Sequence, residues 1–386
     1  MAPPFWLAAA GAVLIGFNLR IANSEIPPVL PDLGLGDAAK SLLVTIPLFC
    51  FSLAAFASPP LRARLGEERG LFAMLAALCI GLALRPAWGV WSLFAGTIVC
   101  GLAIAVMNVL MPSVVRRRFP RRIGEMFAAY TMSLSIGSGL AAGLTIPIAR
   151  ALGSIPWALA VWAVPALVAL VVWSPQLRWK KPAREAGAVR VGLLRDRLAW
   201  QITFYFGFQS MVWYALLSWL PAIYRDKGAD PATAGALLGV LSTVGIVGNF
   251  AAPMAASRLR DKRWVVAVSS LLTIVGVSGV LLAPTSTALL FVIILGIATS
   301  GSFSMALLLM ASQTRDATFA ARLSGMAQGF GYLISAGGPL LAGLLHAASG
   351  GWQLPLLLII ALSVGALVAG VAAARSREVV EPADLL

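Results

Sequence analysis

Apolar stretches of helical length recur along this chain from one end to the other, with no polar domain between them. Twelve are marked by their pattern, at about 5–30, 39–58, 70–85, 90–115, 123–149, 157–175, 199–224, 232–257, 264–283, 287–312, 323–346 and 353–374. A helix needs about 20 apolar residues to cross roughly 30 Å of hydrocarbon, where backbone hydrogen bonds must be satisfied internally. Gly and Pro fall inside many of the runs, as membrane helices tolerate. The longest polar stretch is 176–198, opening Gln176-Leu177-Arg178-Trp179-Lys180-Lys181. The pattern predicts an all-α integral membrane protein of twelve transmembrane helices. Bundles at 1–175 and 199–374 are joined by a cytoplasmic linker at 176–198 and followed by a tail at 375–386.

The two halves repeat. An offset of 194 pairs Trp6 with Trp200, Ser24 with Ser218, Pro27 with Pro221, Asp32 with Asp226, Arg64 with Arg258 and Arg69 with Arg263. Further on the offset drifts to 200, pairing Arg122 with Arg322, Met126 with Met326, Gly137 with Gly337 and Gly143 with Gly343. The ordered set, Trp, Pro and Arg included, exceeds what Leu and Ala matches give by chance. Six helices followed by six in the same sense make a parallel repeat about an axis along the membrane normal. Such an arrangement predicts a substrate site near the midplane between two pseudo-symmetric six-helix bundles. The spacings Gly139-x-x-x-Gly143, Gly235-x-x-x-Gly239 and Gly325-x-x-x-Gly329 let backbones approach closely, and point to packing rather than chemistry.

Charge changes the picture in one respect. Hydrophobic residues make up 60% and charged ones 11%, against about 25% charged in soluble domains, and the formal net charge is +14. With both termini inside, 23 of the 29 Lys and Arg fall in cytoplasmic segments. Lys40, Arg85, Arg150, Arg225 and Lys227 fall in outer loops, and Arg20 lies within a helix. That split follows the positive-inside rule, so the basic balance reports topology and lipid contact, not nucleic-acid binding. The N-terminus lacks a basic region and a cleavage site, and reads as the first helix of an inner-membrane protein. Cys50, Cys79 and Cys100 match no metal or redox spacing, and the one histidine, His346, cannot form a cluster. No enzyme, no metal and no cofactor are expected.

Arg20 is the strongest single candidate. If the hydrocarbon begins near Phe5, it lies roughly 22 Å along the helix. A charge at that depth costs at least about 3 kcal/mol, and such charges usually face water, an ion, a substrate or a buried partner. Asn23 and Ser24 share its face, whereas Glu25 is turned from it by about 140°. A planar guanidinium suits an anionic, nitro or carboxylate solute; the bland reading is an arginine bonded to carbonyls freed near Pro27 and Pro28. Helix 7 places Gln209 with Trp213 and Ser210 with Tyr214, and helix 11 places Gln328 with Tyr332, each at four-residue spacing. These amides and rings suit a small polar solute stripped of water, with core packing and interhelical bonding as the rival. Asn18, Asn108 and Tyr130 complete the substrate-binding candidates. Glu25, towards the outer end of helix 1, is the one acid outside loops, tail and helix ends, and so the candidate for proton coupling.

Ordered motifs then carry a resemblance over nearly the whole length. They are Asn18-Leu19-Arg20 with Pro28-Val29-Leu30-Pro31, Met111-Pro112-Ser113-Val114-Val115 with Arg118-Phe119-Pro120, Gly207-Phe208-Gln209-Ser210 with Ser218-Trp219-Leu220-Pro221, and Ser324-Gly325-Met326-Ala327-Gln328-Gly329 with Gly331-Tyr332 and Gly338-Pro339. Together they resemble the major facilitator superfamily, and within it the cyanate permease and 2-nitroimidazole transporter family. The resemblance implies the major facilitator fold and a monomeric secondary active transporter in a bacterial inner membrane. It also implies gating by basic residues after helices 2 and 8, here Arg64 and Arg258. Where the superfamily usually carries an Asp before the basic residue, this chain has Ala63 and Ser257, so Glu67, Glu68 or Asp261 would have to substitute. The expectation is alternating-access transport of a small anion, cyanate-like or a nitro or carboxylate compound. The alternative is a proton-coupled drug exporter of the same fold.

Overall fold

A computed structural model of the protein describes residues 5–119, 122–178, 191–259, 261–313 and 317–375, with side chains described except at 55–65, 112–113, 116–117, 123–124, 127–128, 191–192 and 317–321. In chain order the helices are α1 (Phe5–Ser24), α2 (Asp37–Leu65), α3 (Glu67–Leu84), α4 (Val90–Arg118), α5 (Ile123–Leu152), α6 (Ile155–Val161 continued by Ala163–Trp173), α7 (Arg197–Asp226), α8 (Pro231–Arg258), α9 (Arg263–Leu282), α10 (Ala288–Ser312), α11 (Ala317–Ser349) and α12 (Gln353–Ala373). The twelve predicted runs are all helical. Ten spans are long and apolar enough to cross a membrane by length and composition alone. The other two helices are α3, which opens Glu67-Glu68-Arg69, and α7, which carries Gln201, Thr203, Gln209, Ser210 and Ser218 among its apolar residues. Large apolar side chains such as Ile80, Val164 and Leu282 point outward, as a lipid-facing surface requires.

Local chemistry explains the interruptions. After Ser24 the chain bends at Glu25 and resumes as a short helix, Ile26–Val29. Pro27 and Pro28 have no N–H to offer, so carbonyls one turn back lose their helical partners. Between α2 and α3 the chain turns at Gly66, whose φ of 73° is open to glycine and strained for other residues.

The chain divides into two compact units. The first comprises Met1–Leu35, Ile46–Glu185 and Ala229–Ser242; the second comprises Gly36–Thr45, Ala186–Gly228 and Thr243–Leu386. The segments that open α2 and α8 are repeat mates, and each is grouped with the opposite half of the sequence, which the half-length repeat alone does not reveal. Their attachment is by close backbone approach. A Cβ at Gly235 would lie 2.9 Å from the Ala142 carbonyl, and one at Gly239 2.9 Å from that of Gly139. Two of the small-residue motifs thus pack against one another within the first unit. Ser242 extends this seam, accepting a 3.1 Å hydrogen bond from Ser138, whose hydroxyl also lies 2.6 Å from that of Ser24.

The repeat is visible in the packing of each unit. A Cβ on Gly137 of α5 would run into the Phe17 carbonyl of α1, and one on Gly338 of α11 into the Met211 carbonyl of α7. Phe17 and Met211 are mates at the 194 offset, and Gly137 and Gly338 lie within one residue of equivalence at the 200 offset.

Candidate transport site

In the first unit, Arg20 is half-buried on α1, one turn beyond Gly16, and Tyr130 is buried on α5. The two helices meet there because position 16 is glycine: a Cβ would lie 2.9 Å from the Tyr130 carbonyl. Arg20 and Tyr130 are therefore brought together, although they stand far apart in sequence. Asn18 is fully buried, and its amide donates to the carbonyls of Leu14 (2.8 Å) and Pro165 (3.1 Å). That makes it a joint between α1 and α6, the rival role weighed for it. Asn108 is half-buried on α4.

Glu25 and Arg85 are buried and paired, which their places in the sequence do not show. Arg85 was assigned to an outer loop, and Glu25 to the outer end of its helix. Both side chains are wholly buried and form an ion pair, Nη1 to Oε1. Arg85 Nη2 also donates to the Ala22 carbonyl at 3.1 Å and to Thr97 Oγ1 at 3.4 Å. The guanidinium thus serves the carboxylate and a backbone acceptor at the end of α1, where the helix dipole is negative. Room for it comes from Gly81 and Gly96, which let α3 and α4 touch; a Cβ on Gly96 would lie 2.9 Å from Arg85 Cγ. The sequence signal was an arginine closing an apolar run, read as a loop because nothing in the pattern shows a partner 60 residues away.

At the other end of this unit Arg118 lies 3.6 Å from Glu68, both side chains 6% exposed, and Trp173 donates to the Glu68 carbonyl at 3.2 Å. Glu68 is thus the acid that meets a basic partner here. Asp261 pairs with its near neighbour Arg263 at 2.7 Å, whose side-chain hydrogen bonds hold that carboxyl below the usual range. Of the gating candidates, Arg258 is exposed, and the side chain of Arg64 lies outside the described residues.

In the second unit, α7 and α11 run together. Tyr214 and Tyr332 are half-buried, with ring centroids 6.5 Å apart, and Tyr332 packs edge-on against Phe206 at 5.2 Å. Gln328, one turn before Tyr332, is half-buried and donates to Ser324 Oγ at 2.7 Å. These three predicted residues form one accessible polar and aromatic surface. Gln209 and Trp213 are instead buried, at 4% and 7% exposure. The Gln209 amide donates to the Phe206 carbonyl at 3.1 Å and to Ser210 Oγ at 2.7 Å. Gln209 lines an internal cavity of this unit with Ser270, Thr273, Thr299, Ser302 and Ser363, which sequence reasoning did not single out because each is a lone hydroxyl on a different turn.

Apolar crossing helices, enclosed charge in one unit and a half-open amide and aromatic surface in the other define a multi-pass membrane transporter. The sequence profile of the Major Facilitator Superfamily matches residues 8–336, and the chain belongs to that family. It is 33% identical to a 2-nitroimidazole transporter of Escherichia coli over 96% of both chains. It is 28% identical to a cyanate transport protein of the same organism, over 88% of this chain and 90% of that one. These relatives are transporters rather than enzymes. A solved bacterial homologue of the human lysosomal transporter Spinster, 14% identical, superposes with a TM-score of 0.79 over 97% of this chain and 98% of its own. The twelve-helix fold is shared.

Proposed function

We propose that this transporter moves a small anion, cyanate-like or a nitro or carboxylate compound, across a bacterial inner membrane by alternating access. The observation that carries the reading is Arg20: a half-buried arginine within a membrane helix, one turn beyond the glycine that packs α1 against the buried Tyr130. Its fixed charge and planar donors match a small anion. Tyr214, Tyr332 and Gln328 supply ring faces and an amide for a solute leaving water. The relatives' names for nitroimidazole and cyanate favour the same chemistry. In this reading the protein works as a monomer with both termini in the cytoplasm, residues 1–175 and 199–374 form the two bundles, and Arg258 and Arg64 take part in gating.

The test is uptake of radiolabelled cyanate and small nitro and carboxylate compounds into proteoliposomes. Arg20→Ala should abolish uptake at unchanged protein level, and Arg20→Lys should restore it only in part because a point charge lacks the donor fork. Full uptake by the alanine variant would remove Arg20 from the mechanism. A second reading, proton-driven drug export, draws on the enclosed carboxylate of Glu25. It predicts transport of neutral or cationic compounds and loss of proton dependence in Glu25→Gln.

A further inference from the structure

Within the second unit, α7, α9, α10 and α12 surround a small cavity whose polar lining is Gln209, Ser270, Thr273, Thr299, Ser302 and Ser363. The free space for the centre of a water-sized particle is about 10 Å³, which is room for one. The direction of the protons sets its chemistry. Gln209 gives its amide protons to the Phe206 carbonyl and Ser210; only nitrogen can donate to a carbonyl, so Oε1 is the atom left over, and it is buried without a hydrogen-bond partner. Thr273, Thr299 and Ser363 each donate to the carbonyl one turn back, at 2.9, 2.6 and 2.8 Å, on Ser269, Leu295 and Ile359. A hydroxyl has one proton and two lone pairs, so these three also present acceptors alone. Ser270 Oγ is buried and has no hydrogen-bond partner.

One water suffices for the two oxygens without a partner, Gln209 Oε1 and Ser270 Oγ, but leaves the free lone pairs of Thr273, Thr299 and Ser363 unused. A hard cation satisfies every oxygen at once. The charge must be single, because no carboxylate lines the cavity and a doubly charged ion would lie uncompensated. Neutral oxygens alone do hold monovalent cations in membrane proteins. We infer that this cavity is a sodium-ion site, held by Gln209 Oε1 and the hydroxyl oxygens of Ser270, Thr273, Thr299 and Ser363. Gln209 then serves the ion rather than the transported solute. The inference stands apart from the anion reading, since it needs nothing from Arg20.

The experiment is direct binding of radioactive sodium to the purified full-length protein in detergent, with choline and potassium at matched ionic strength as competitors. Melting temperature is followed in the same solutions. Saturable binding displaced by unlabelled sodium, and a melting temperature raised by sodium over choline, are the expected results. Ser270→Ala and Thr299→Val, which remove an oxygen each and nearly keep the volume, should weaken sodium binding about tenfold or more while remaining monodisperse. The absence of any sodium-specific signal in the wild type would overturn the site, as would affinity unchanged in both folded variants; either result leaves the cavity to a water. Sodium binding without anion uptake would defeat the substrate reading alone.

Discussion

The two units carry the same repeat and have filled its interior with different chemistry. The buried side chains of Asp, Glu, Lys or Arg among the described residues, Glu25, Glu67, Glu68 and Arg85, all belong to the first unit, whereas the second unit's buried polar groups are Ser, Thr, Gln and the phenols of Tyr205 and Tyr224. Positions related by the 194 offset show the exchange: Ile15 against Gln209, Arg20 against Tyr214, Glu25 against Trp219. Charge is expensive to bury and attracts a partner over several ångströms. Neutral oxygens cost less and act only at contact. The first unit is thereby suited to holding or meeting a charged solute, and the second to shaping a small enclosed space and an aromatic surface. Gene-level symmetry fixes where helices cross; it does not fix what they carry.

The sharpest way to break this contrast is to cut the enclosed ion pair. Removing one partner leaves an uncompensated charge in a dry site, a loss of about 3–5 kcal/mol. Arg85→Ala should therefore lower the melting temperature of the detergent-solubilised protein steeply. The double variant Glu25→Leu with Arg85→Met, which removes both charges, should recover much of that loss. If the single and double variants melt alike, the pair is not an electrostatic unit and the contrast between the units fails at its strongest point.

The repeat mate of Glu25 offers the matching measurement. Trp219 donates to the Pro339 carbonyl at 2.8 Å, and its ring lies 5.5 Å from that of Trp352. Trp219→Phe keeps most of the apolar bulk and removes one hydrogen bond to a carbonyl inside α11, a loss of about 0.5–1.5 kcal/mol. The expected drop in melting temperature is smaller than for Arg85→Ala. An equal or larger drop would show that neutral polar contacts in the second unit matter as much as charge does in the first.

How far the sequence reached follows the same division. Helix positions were legible because every membrane crossing needs its own apolar run, and α3 was found despite its Glu67-Glu68-Arg69 opening. Arg20 stands out in the sequence because a lone charge is conspicuous in that background, whereas Glu68 was one of three acids, with Glu67 and Asp261, open to the place that Ala63 leaves without one. The Glu25–Arg85 pair was not legible, since Arg85 alone reads as an outer-loop charge and Glu25 as a lone acid in helix 1, and their meeting depends on Gly81 and Gly96 bringing α3 against α4. Nor was the cavity around Gln209. Hydroxyls scattered over four helices have no periodicity, and which face looks inward is settled only by packing.

The smallest effect separates burial from charge as the cause of the contrast. Arg150 and Asp230, also of the first unit, pair at 2.9 Å with both side chains more than half exposed. The Arg150 guanidinium, helped by the backbone N–H groups of Thr233 and Ala232, holds the Asp230 carboxyl below its ordinary value. A carboxyl depressed on folding stabilises above its unfolded pKa of about 3.9 and loses that contribution as pH falls through the lower folded value. Asp230→Asn should therefore melt slightly below the wild type at pH 7, by a margin that salt reduces. The two curves should merge as the pH is taken below about 4. A deficit as large as that of Arg85→Ala, or one that persists unchanged to low pH, would mean that exposed charge stabilises this unit as strongly as enclosed charge. The difference between the units would then lie in the number of charges rather than in their removal from water.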